Sequence, residues 1–359
     1  MTTDTVGGVW NYSLELCREL GQYGVQVHLV SMGGWPSETM ENEVSNIETV
    51  TLYKSAYKLE WMENSWEDVK NAQKWIMTIY HTVQPDIVHL NNFMKIENPQ
   101  NCPVVTTYHS CVHTWWQAVK GKTAPSSWNT YKQLVKTALN NSNMIISPTG
   151  SFLEQIRQVH HLAPKTTVIN NARNIAFTGK KEKEPFILCT GRIWDEAKNL
   201  QILSNLSQEI PWPIYVAGDH IDPVKGRKTH LENVFLLGKL PSNELSEWMQ
   251  RASIYLSPAK YEPFGLAVLE AANAGCALAL SNIGTLRELW GESAMYFDPT
   301  DATQIKRALH MLIQNPNYRK RLSEASKMRA KTYNAQKMGK QYMEMYQHLL
   351  STKEYQLTC

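Results

Sequence analysis

Short apolar runs alternate with helical stretches along most of this chain, and this alternation constrains the fold more than any other feature. VQVHLV, VVTTY, FILCT and IYLS each have the composition of a buried strand, and stretches with helical spacing lie between them. Such alternation predicts parallel sheets covered by helices on both faces. With 359 residues, the chain is long enough for two units of this kind. We therefore predict an α/β fold of two Rossmann-like, doubly wound domains that face each other across a cleft.

The composition is that of a globular protein, with 43% hydrophobic and 19% charged residues. A net charge of +3 gives no reason to expect a nucleic-acid partner. No run approaches the length of a membrane span and MTTDTVGGVW is not a signal peptide, so we predict a cytoplasmic protein. The cysteines occur singly, which predicts reduced, mostly buried thiols rather than disulfides or zinc. They are Cys17, Cys102, Cys111, Cys189, Cys276 and Cys359.

Residues 257–280, SPAKYEPFGLAVLEAANAGCALAL, have the pattern strand, loop, helix, strand. The helix is expected to start just past Pro263 and to end at Gly275. Glu262 then precedes the helix and Glu270 lies about two turns inside it, so a rise of roughly 12 Å separates the two carboxylates and they cannot share a proton. Backbone N–H groups at the start of such a helix suit a polyhydroxylated or anionic ligand.

Taken alone, the two glutamates also fit a solvated loop acid and a helix-surface acid. However, Glu-Pro-Phe-Gly at 262–265, followed by Glu270 after seven intervening residues, resembles the Glu-x7-Glu signature of retaining glycosyltransferases of family 4, which have the GT-B fold. The resemblance implies that Glu262 contacts the donor sugar and that Glu270 hydrogen-bonds the nucleotide ribose. It also implies that the backbone of Phe264, Gly265 and Leu266 holds sugar hydroxyls, because Gly265 has no side chain to obstruct a ligand.

A second loop of the same half opens at Gly191 and carries Arg192 and Lys198. Two cations in one loop can neutralise a pyrophosphate, Arg through its planar fork and Lys as a point charge, although ordinary surface charge gives the same pattern. The family resembled here has Gly-Arg and then Lys-Asn at this place and uses both cations on the donor diphosphate. By the same resemblance, Leu240 and the neighbouring Lys239 lie at the edge of the nucleotide base.

The candidates from the first half are Gly7, Gly8 and His109. A glycine pair ahead of a helix allows close approach to a phosphate or sugar, and it fits a plain turn equally well. The family has a Gly-Gly loop here that faces the diphosphate and acceptor, and a histidine that faces the donor sugar. His109 matches that histidine, with His113 as the fallback and a structural histidine as the alternative. Only residues 1–3 precede the loop region, so we expect either an upstream start of translation or a sheet that lacks most of one strand.

Five candidate positions follow predicted strands closely enough to share the carboxyl edge of a sheet, where ligands of parallel α/β sheets bind. They are Gly7, His109, Gly191, Gly218 and Glu262. This agreement depends on the strand pattern and is independent of the resemblance.

The segment between Glu97 and Glu154 contains no acidic residue, and lysines alternate there with aromatic residues. Such a surface favours an anionic acceptor or peripheral contact with an acidic membrane. The alternative is that the tryptophans belong to the core and the lysines are solvated. The residues concerned are Lys120, Lys122, Lys132, Lys136, Trp115, Trp116, Trp128 and Tyr131.

Further local features complete the structural prediction. We expect an irregular stretch from residue 35 to residue 74 that leads into a helix from about Trp66 to His81. We also expect a helix that begins close to Asn199 and a helix capped by Ser242. IGTLREL, which contains Gly284 and Glu288, resembles a turn near the sugar pocket of the family.

We predict an acceptor-side domain at 1–172, a nucleotide-sugar domain at 173–333, and a helical segment at 334–359 that in this fold returns to the first domain. The predicted function is retaining transfer of a sugar from a nucleotide donor, UDP by family frequency, to a hydroxyl acceptor. No Asp-x-Asp stretch occurs, so we expect neither a metal nor another cofactor. The alternatives are a nucleotide-sugar epimerase on the same fold and a nucleotide-sugar-binding protein without catalysis.

Overall fold

The computed structural model describes residues 1–97, 102–160, 162, 165–175, 177, 179, 181–221, 226 and 228–357, without the side chains of residues 353–357. The chain divides into two compact units. Unit 1 comprises Met1–Gln117, Lys122–Ala172 and Ala335–Cys359, and unit 2 comprises Ala118–Gly121 and Arg173–Asn334.

Strands and helices alternate along both units. The strands are β1 (Thr2–Asp4), β2 (Val27–Met32), β3 (Val50–Lys54), β4 (Val88–Leu90), β5 (Val104–Thr107), β6 (Met144–Ser147), β7 (Lys165–Val168), β8 (Glu184–Thr190), β9 (Ile214–Ala217), β10 (Phe235–Gly238), β11 (Ala252–Ser257), β12 (Ala277–Ser281) and β13 (Met295–Phe297). The helices are α1 (Gly8–Gly21), α2 (Glu38–Ser45), α3 (Trp66–Val83), α4 (Val112–Lys120), α5 (Asn129–Asn140), α6 (Gly150–Val159), α7 (Leu203–Leu206), α8 (Ser242–Arg251), α9 (Leu266–Asn273), α10 (Gly284–Trp290), α11 (Ala302–Gln314), α12 (Pro316–Ala330) and α13 (Ala335–Leu357).

The first strand of unit 1 is short and forms a ladder on one side only. β1 pairs in parallel with β2, and the strands of this unit form two sheets of order β1-β2-β3 and β4-β5-β6-β7. On the other side of β1, Asn91 N donates to Thr2 Oγ1 and Asn91 Nδ2 donates to Thr2 O, both at 2.8 Å. These side-chain bonds link β1 to the residue that follows β4, while the described strands β1 and β4 belong to separate sheets.

Unit 2 is built on a parallel sheet of order β10-β9-β8-β11-β12-β13. Alternate residues of β8 pack on opposite sides of it: Ile187 and Cys189 join a core with residues of α7 and α11, whereas Phe186 and Leu188 join a core with residues of α8, α9 and α10. Because successive strand residues point to opposite faces, this partition shows that helices cover both faces of the sheet. That is the doubly wound arrangement predicted from the sequence.

Two local predictions were wrong. Residues 35–65, expected to be irregular, contain α2 and β3, which a polar sequence with little apolar periodicity did not indicate, whereas α3 confirms the helix expected from about Trp66 to His81. Ser242 is the first residue of α8 and makes no capping bond, since Pro241 holds the N-cap position. The start of the helix expected close to Asn199 was predicted correctly, but the segment is a 3-10 turn from Leu200 followed by the four-residue α7. Asn199 itself is left-handed, with φ of 55°, and its Nδ2 donates to the carbonyls of Pro258 and Pro299.

Two composition-based expectations can be compared with the described residues. α3 and α13, with 18 and 23 residues, have the length of a membrane span, but over the part that the structure describes neither these nor the other helices have its apolar composition. The five described cysteines are buried, as predicted, and Cys359 lies outside the described residues.

Candidate functional site

The loop after β8 brings an acid and two cations together at the carboxyl edge of the unit 2 sheet. Arg192 Nη2 donates to Asp195 Oδ2 at 2.6 Å, and Ala197 N donates to Asp195 Oδ1 at 2.9 Å. Burial opposes ionisation of Asp195, but the charges of Arg192 and Lys198 and these hydrogen bonds outweigh it and lower the pKa of Asp195. Asp195 therefore stays charged and shapes the loop that carries both predicted diphosphate ligands. Sequence reasoning missed it, although an acid three residues after the arginine is a usable signal.

Lys198 contacts the glutamate of a different loop, the one after β11. Its Nζ donates to Glu262 Oε2 at 2.6 Å, and the two side chains are 24% and 16% exposed. The main chains of the loops are also joined, because Lys260 N donates to Ala197 O at 2.8 Å. Thr285 Oγ1, in α10, donates to Glu262 O at 2.6 Å. The structure thus makes the predicted diphosphate ligand and the predicted sugar ligand direct neighbours.

Gly265 shapes the turn that leads from Glu262 into α9. Its φ is +85°, a conformation that favours glycine, and a Cβ there would lie 3.3 Å from Glu262 Cγ. Phe264 is 4% exposed and packs edge-on against Tyr333, with ring centroids 5.8 Å apart. Leu266 is the first residue of α9. The aromatic side chain therefore anchors this turn in the core of unit 2.

Glu270 lies inside α9 and pairs with an arginine that the sequence analysis did not single out. Its Oε1 is 3.2 Å from Arg173 Nε, and both side chains are 14% exposed. Arg173 carried no sequence signal, because it is remote from Glu270 along the chain and belongs to no motif. Gly284 and Glu288, interpreted as part of a turn, are instead residues of α10, so that interpretation was wrong.

Two glycines bring the ends of β8 and β9 into close backbone contact. Gly191 N donates to Ala217 O at 3.0 Å, and a Cβ on Gly218 would lie only 1.8 Å from Gly191 O. Gly218 N donates to Gly238 O at the end of β10, at 2.8 Å. Leu240, the predicted neighbour of the base, is half-buried just beyond β10. The carboxyl ends of these three strands therefore form one continuous hydrogen-bonded edge.

In unit 1, the N–H of Gly7 is already used within the protein. Asp4 Oδ1 accepts hydrogen bonds from Val6 N at 2.9 Å and from Gly7 N at 3.1 Å. Gly7 has an extended φ of −148°, which any residue adopts, whereas Gly8 is exposed as the first residue of α1. The predicted backbone contact to a diphosphate therefore stays a prediction, and Gly8 fits it better than the amide of Gly7.

His109 follows β5 and is a neutral ring of defined orientation. Burial lowers the pKa of His109 to about 3. Its Nε2 is 2.8 Å from Asn91 Oδ1, and because Asn91 Nδ2 donates to Thr2, this oxygen must accept the proton of Nε2. Nδ1 is left as a hydrogen-bond acceptor. The fallback His113 lies in α4, is 8% exposed and stacks on Tyr131 at 5.8 Å between ring centroids, so it belongs to the core.

The basic and aromatic segment has exposed lysines and aromatic residues that are buried or half-buried. Because exposed lysines fit both an anionic partner and simple solvation, contact with an anionic acceptor or an acidic membrane stays a prediction. Exposed are Lys120, Lys122, Lys132 and Lys136, half-buried are Trp115, Trp116 and Trp128, and buried is Tyr131.

Comparison with known proteins indicates the family. The family "Glycosyl transferases group 1" matches residues 170–329, and "Glycosyltransferase Family 4" matches residues 6–177. Sucrose-phosphate synthase from Thermosynechococcus elongatus superposes with a TM-score of 0.73 over 95% of this chain and 93% of that chain, at 18% identity. Both family models describe glycosyltransferases and together they span residues 6–329, which supports the GT-B glycosyltransferase superfamily for this chain.

Other GT-B relatives agree with this assignment. D-rhamnosyltransferase WbpZ from Pseudomonas aeruginosa is 22% identical over an alignment of 343 positions that covers 88% of this chain and 84% of the relative. HepE from Anabaena, solved in complex with UDP and glucose, superposes with a TM-score of 0.67 over 97% of this chain and 99% of that chain, at 12% identity. The predicted GT-B fold is thereby confirmed, and a glycosyltransferase activity is supported.

Proposed function

We propose that this chain is a retaining glycosyltransferase that moves a sugar from a UDP-linked donor to a hydroxyl acceptor without a metal ion. The observation that carries the proposal is the 2.6 Å contact between Lys198 Nζ and Glu262 Oε2. It joins a cation suited to a diphosphate with an acid suited to a sugar at the start of α9. The UDP bound in HepE supports the choice of nucleotide, and the resemblance at residues 262–270 supports retention.

Charge separation is the main chemical obstacle in this reaction. As the bond between the sugar C1 and the phosphate oxygen breaks, negative charge grows on the diphosphate and positive charge grows on the ring. Arg192 and Lys198 stabilise the diphosphate, and loss of one such group costs roughly 3 to 4 kcal/mol in other enzymes. A guanidinium has five N–H donors; the bond to Asp195 uses Nη2, and the Arg192 side chain is still 37% exposed. Arg192 can therefore bind phosphate while it keeps its bond to Asp195.

We favour transfer on one face of the sugar. The acceptor oxygen bonds to C1 as the phosphate oxygen leaves, and the acceptor proton passes to that leaving oxygen. Glu262 positions the sugar rather than attacking it, because its carboxylate is engaged by Lys198. His109 contributes its unprotonated Nδ1 as an acceptor for a sugar hydroxyl, and Glu270 contributes a carboxylate for the ribose beside Arg173.

Replacing Lys198 by alanine tests this assignment, and Lys306→Ala is a matched control. Lys306 pairs with Glu209 at 2.7 Å and is 23% exposed, against 2.6 Å and 24% for Lys198, but it lies in α11. We expect Lys198→Ala to lower kcat/KM by roughly 100- to 1,000-fold and to remove thermal stabilisation by the donor. That stabilisation is about 2.7 kcal/mol at 100 times the Kd. Lys306→Ala should keep both, and EDTA should leave wild-type turnover unchanged.

Other outcomes would redirect the assignment. Equal turnover by Lys198→Ala and wild type would contradict the proposed role of the ion pair. A product in which the sugar is altered but still attached to the nucleotide would identify an epimerase. Donor binding without turnover, across a panel of hydroxyl acceptors, would identify a binding protein.

A further inference from the structure

A chain of hydrogen-bonding groups runs through the core of unit 1 from the C-terminal helix α13. Tyr12 OH donates to Tyr342 OH at 2.5 Å, and Tyr342 OH is 3.1 Å from Thr107 Oγ1. Thr107 Oγ1 is 2.7 Å from His89 Nε2, and His89 Nδ1 is 2.6 Å from Tyr346 OH. All five side chains are buried. The chain joins α13 to α1, β4 and β5.

The donors and acceptors of this chain have one consistent order. Tyr342 accepts from Tyr12, so its own proton is directed to Thr107, and the Thr107 proton is then directed to His89 Nε2. Burial lowers the pKa of His89 well below its ordinary value, so the ring is neutral and its single proton lies on Nδ1, which donates to Tyr346. Loss of the Tyr342 hydroxyl therefore removes the acceptor of Tyr12 and the donor to Thr107, and the Tyr12 and Thr107 hydroxyls, 3.4 Å apart, must pair with each other instead.

Close packing of α13 on α1 fixes the position of this chain. A Cβ on Gly339 would lie 2.5 Å from Glu19 Cβ, so the two helices approach more closely than two side-chain-bearing positions allow. Residues in such tight contact transmit small displacements because protein interiors are densely packed. A shift of Tyr342 is therefore passed on to α1.

Tyr12 and Thr107 each lie beside a predicted site residue. Tyr12 is in the second turn of α1, which starts at the exposed Gly8, and its ring meets that of His109 edge-on at 4.5 Å between centroids. Thr107 is the last residue of β5 and stands two positions before His109. Tyr342 touches neither Gly8 nor His109, so it can influence them only through these two neighbours.

We propose that the Tyr342 hydroxyl is a positioning group for the reaction, because its bonds to Tyr12 and Thr107 fix the helix start at Gly8 and the orientation of His109. The inference rests on the proposed function, in which His109 accepts a hydrogen bond from a sugar hydroxyl, and on the sequence prediction that Gly8 approaches a diphosphate. Unit 2 holds the Lys198–Glu262 pair, so donor binding there does not depend on Tyr342. Loss of the hydroxyl should therefore affect the chemical step more than donor binding.

Tyr342→Phe removes only this hydroxyl, and Tyr53→Phe is the matched control. Tyr53 also lies in unit 1 and its hydroxyl is 3.2 Å from His28 Nδ1, but none of its described contacts reaches the chain from Tyr12 to Tyr346. We expect Tyr342→Phe to lower kcat about 10-fold, less than the 100-fold typical of a 1 Å misplacement, with the donor KM within about twofold. Tyr53→Phe should leave kcat unchanged.

A double variant separates positioning from general destabilisation. Tyr12→Phe removes the other half of the same hydrogen bond, so Tyr12→Phe/Tyr342→Phe should lose no more kcat than Tyr342→Phe alone. The inference would be overturned if the kcat losses of the two single variants multiply in the double variant. It would also be overturned if Tyr342→Phe has wild-type kcat at a temperature where the variant is folded. If Tyr342→Phe does not fold, Tyr12→Phe alone serves as the test variant.

The His109 imidazole gives a readout that needs no transfer activity. Tyr342→Phe should shift the NMR signals of the His109 ring relative to wild type, whereas Tyr53→Phe should not. Unchanged His109 signals would overturn the positioning role even if the enzyme is active. Conversely, a wild-type protein that binds no UDP-linked sugar would refute the proposed function. The His109 ring signals would still show whether Tyr342 controls the contact between Tyr12 and His109.

Discussion

Gly218→Ala tests whether the close backbone contact between the ends of β8 and β9 determines the geometry of the cation loop. This loop follows β8 and carries Arg192 and Lys198. The added Cβ would lie 1.8 Å from Gly191 O, and packed Cβ atoms do not approach other atoms within 3.0 Å. The two backbones must therefore move apart by at least about 1.2 Å, in an interior with little free space. Gly191 opens the loop that carries Arg192 and Lys198, so this movement displaces both cations.

The expected magnitudes follow from this displacement. Overpacking of a core costs about 1–3 kcal/mol, and a side chain at the φ of +152° found at Gly218 adds about 1–3 kcal/mol of backbone strain. A loss near 3 kcal/mol lowers the Tm of a domain of this size by about 6–12 °C. A misplacement of about 1 Å in the site lowers kcat/KM by about 100-fold.

Gly275→Ala is the control that separates the steric clash of the added Cβ from the strain of placing a side chain at a positive φ. Gly275 also has a positive φ, +78°, but the nearest atoms to its Cβ would be side-chain atoms at 3.7 and 3.8 Å. It lies between α9 and the amino end of β12, away from the cation loop. Gly275→Ala should cost only about 1–2 kcal/mol and leave kcat/KM unchanged.

The assay is a thermal melt of each purified variant, followed by donor turnover at a temperature where all variants are folded. If Gly218→Ala has the same Tm as Gly275→Ala and keeps wild-type kcat/KM, the close contact between Gly218 and Gly191 does not determine the position of Arg192 and Lys198. That result would refute the reasoning.

Two further predictions concern a helix cap and a buried acid. Thr149 Oγ1 accepts Phe152 N at 3.2 Å at the start of α6, so Thr149→Ala should lose about 1 kcal/mol in denaturant unfolding. Ser242→Ala, which removes no cap, should change stability by less than about 0.5 kcal/mol, and equal losses would contradict this distinction. The folded-state pKa of Asp195 is depressed, so its stabilising contribution is present above the unfolded pKa of about 3.9 and is lost as pH falls through the folded value. The Tm deficit of Asp195→Asn at pH 7 should therefore shrink toward pH 3; a deficit independent of pH would rule out this linkage.

Local patterns were sufficient to predict the turn around Glu262. The helix was expected just past Pro263 and begins at Leu266, and the strand before it ends at Ser257. Apolar runs, a proline and a glycine act over a few residues, so their order along the chain already indicates strand, loop and helix. The same reasoning failed at residues 38–54, where α2 buries only Val44 and its apolar face is too small to produce a periodic signal.

The partners of the charged residues could not be predicted in the same way. Lys198 meets Glu262 because the loops after β8 and β11 lie at the same edge of one sheet. Arg173 meets Glu270 inside α9, a residue remote from it along the chain. Nothing near Arg173 in the sequence distinguishes it from other surface arginines. The resemblance indicated which residues face a ligand, but their hydrogen-bond partners depend on tertiary contacts.

Gly7 shows a further limit of motif reasoning. A glycine pair before a helix indicates N–H groups that can approach a phosphate, but it does not show whether those groups are already bonded. Aspartate side chains commonly bond the backbone two or three residues ahead, and Asp4 does so at Val6 and Gly7. The spacing Asp-x-x-Gly could have indicated this competition. The prediction of an anionic ligand at this loop therefore depends on the exposed start of α1 at Gly8. One turn further along the same helix, Tyr12 donates its hydroxyl proton to Tyr342.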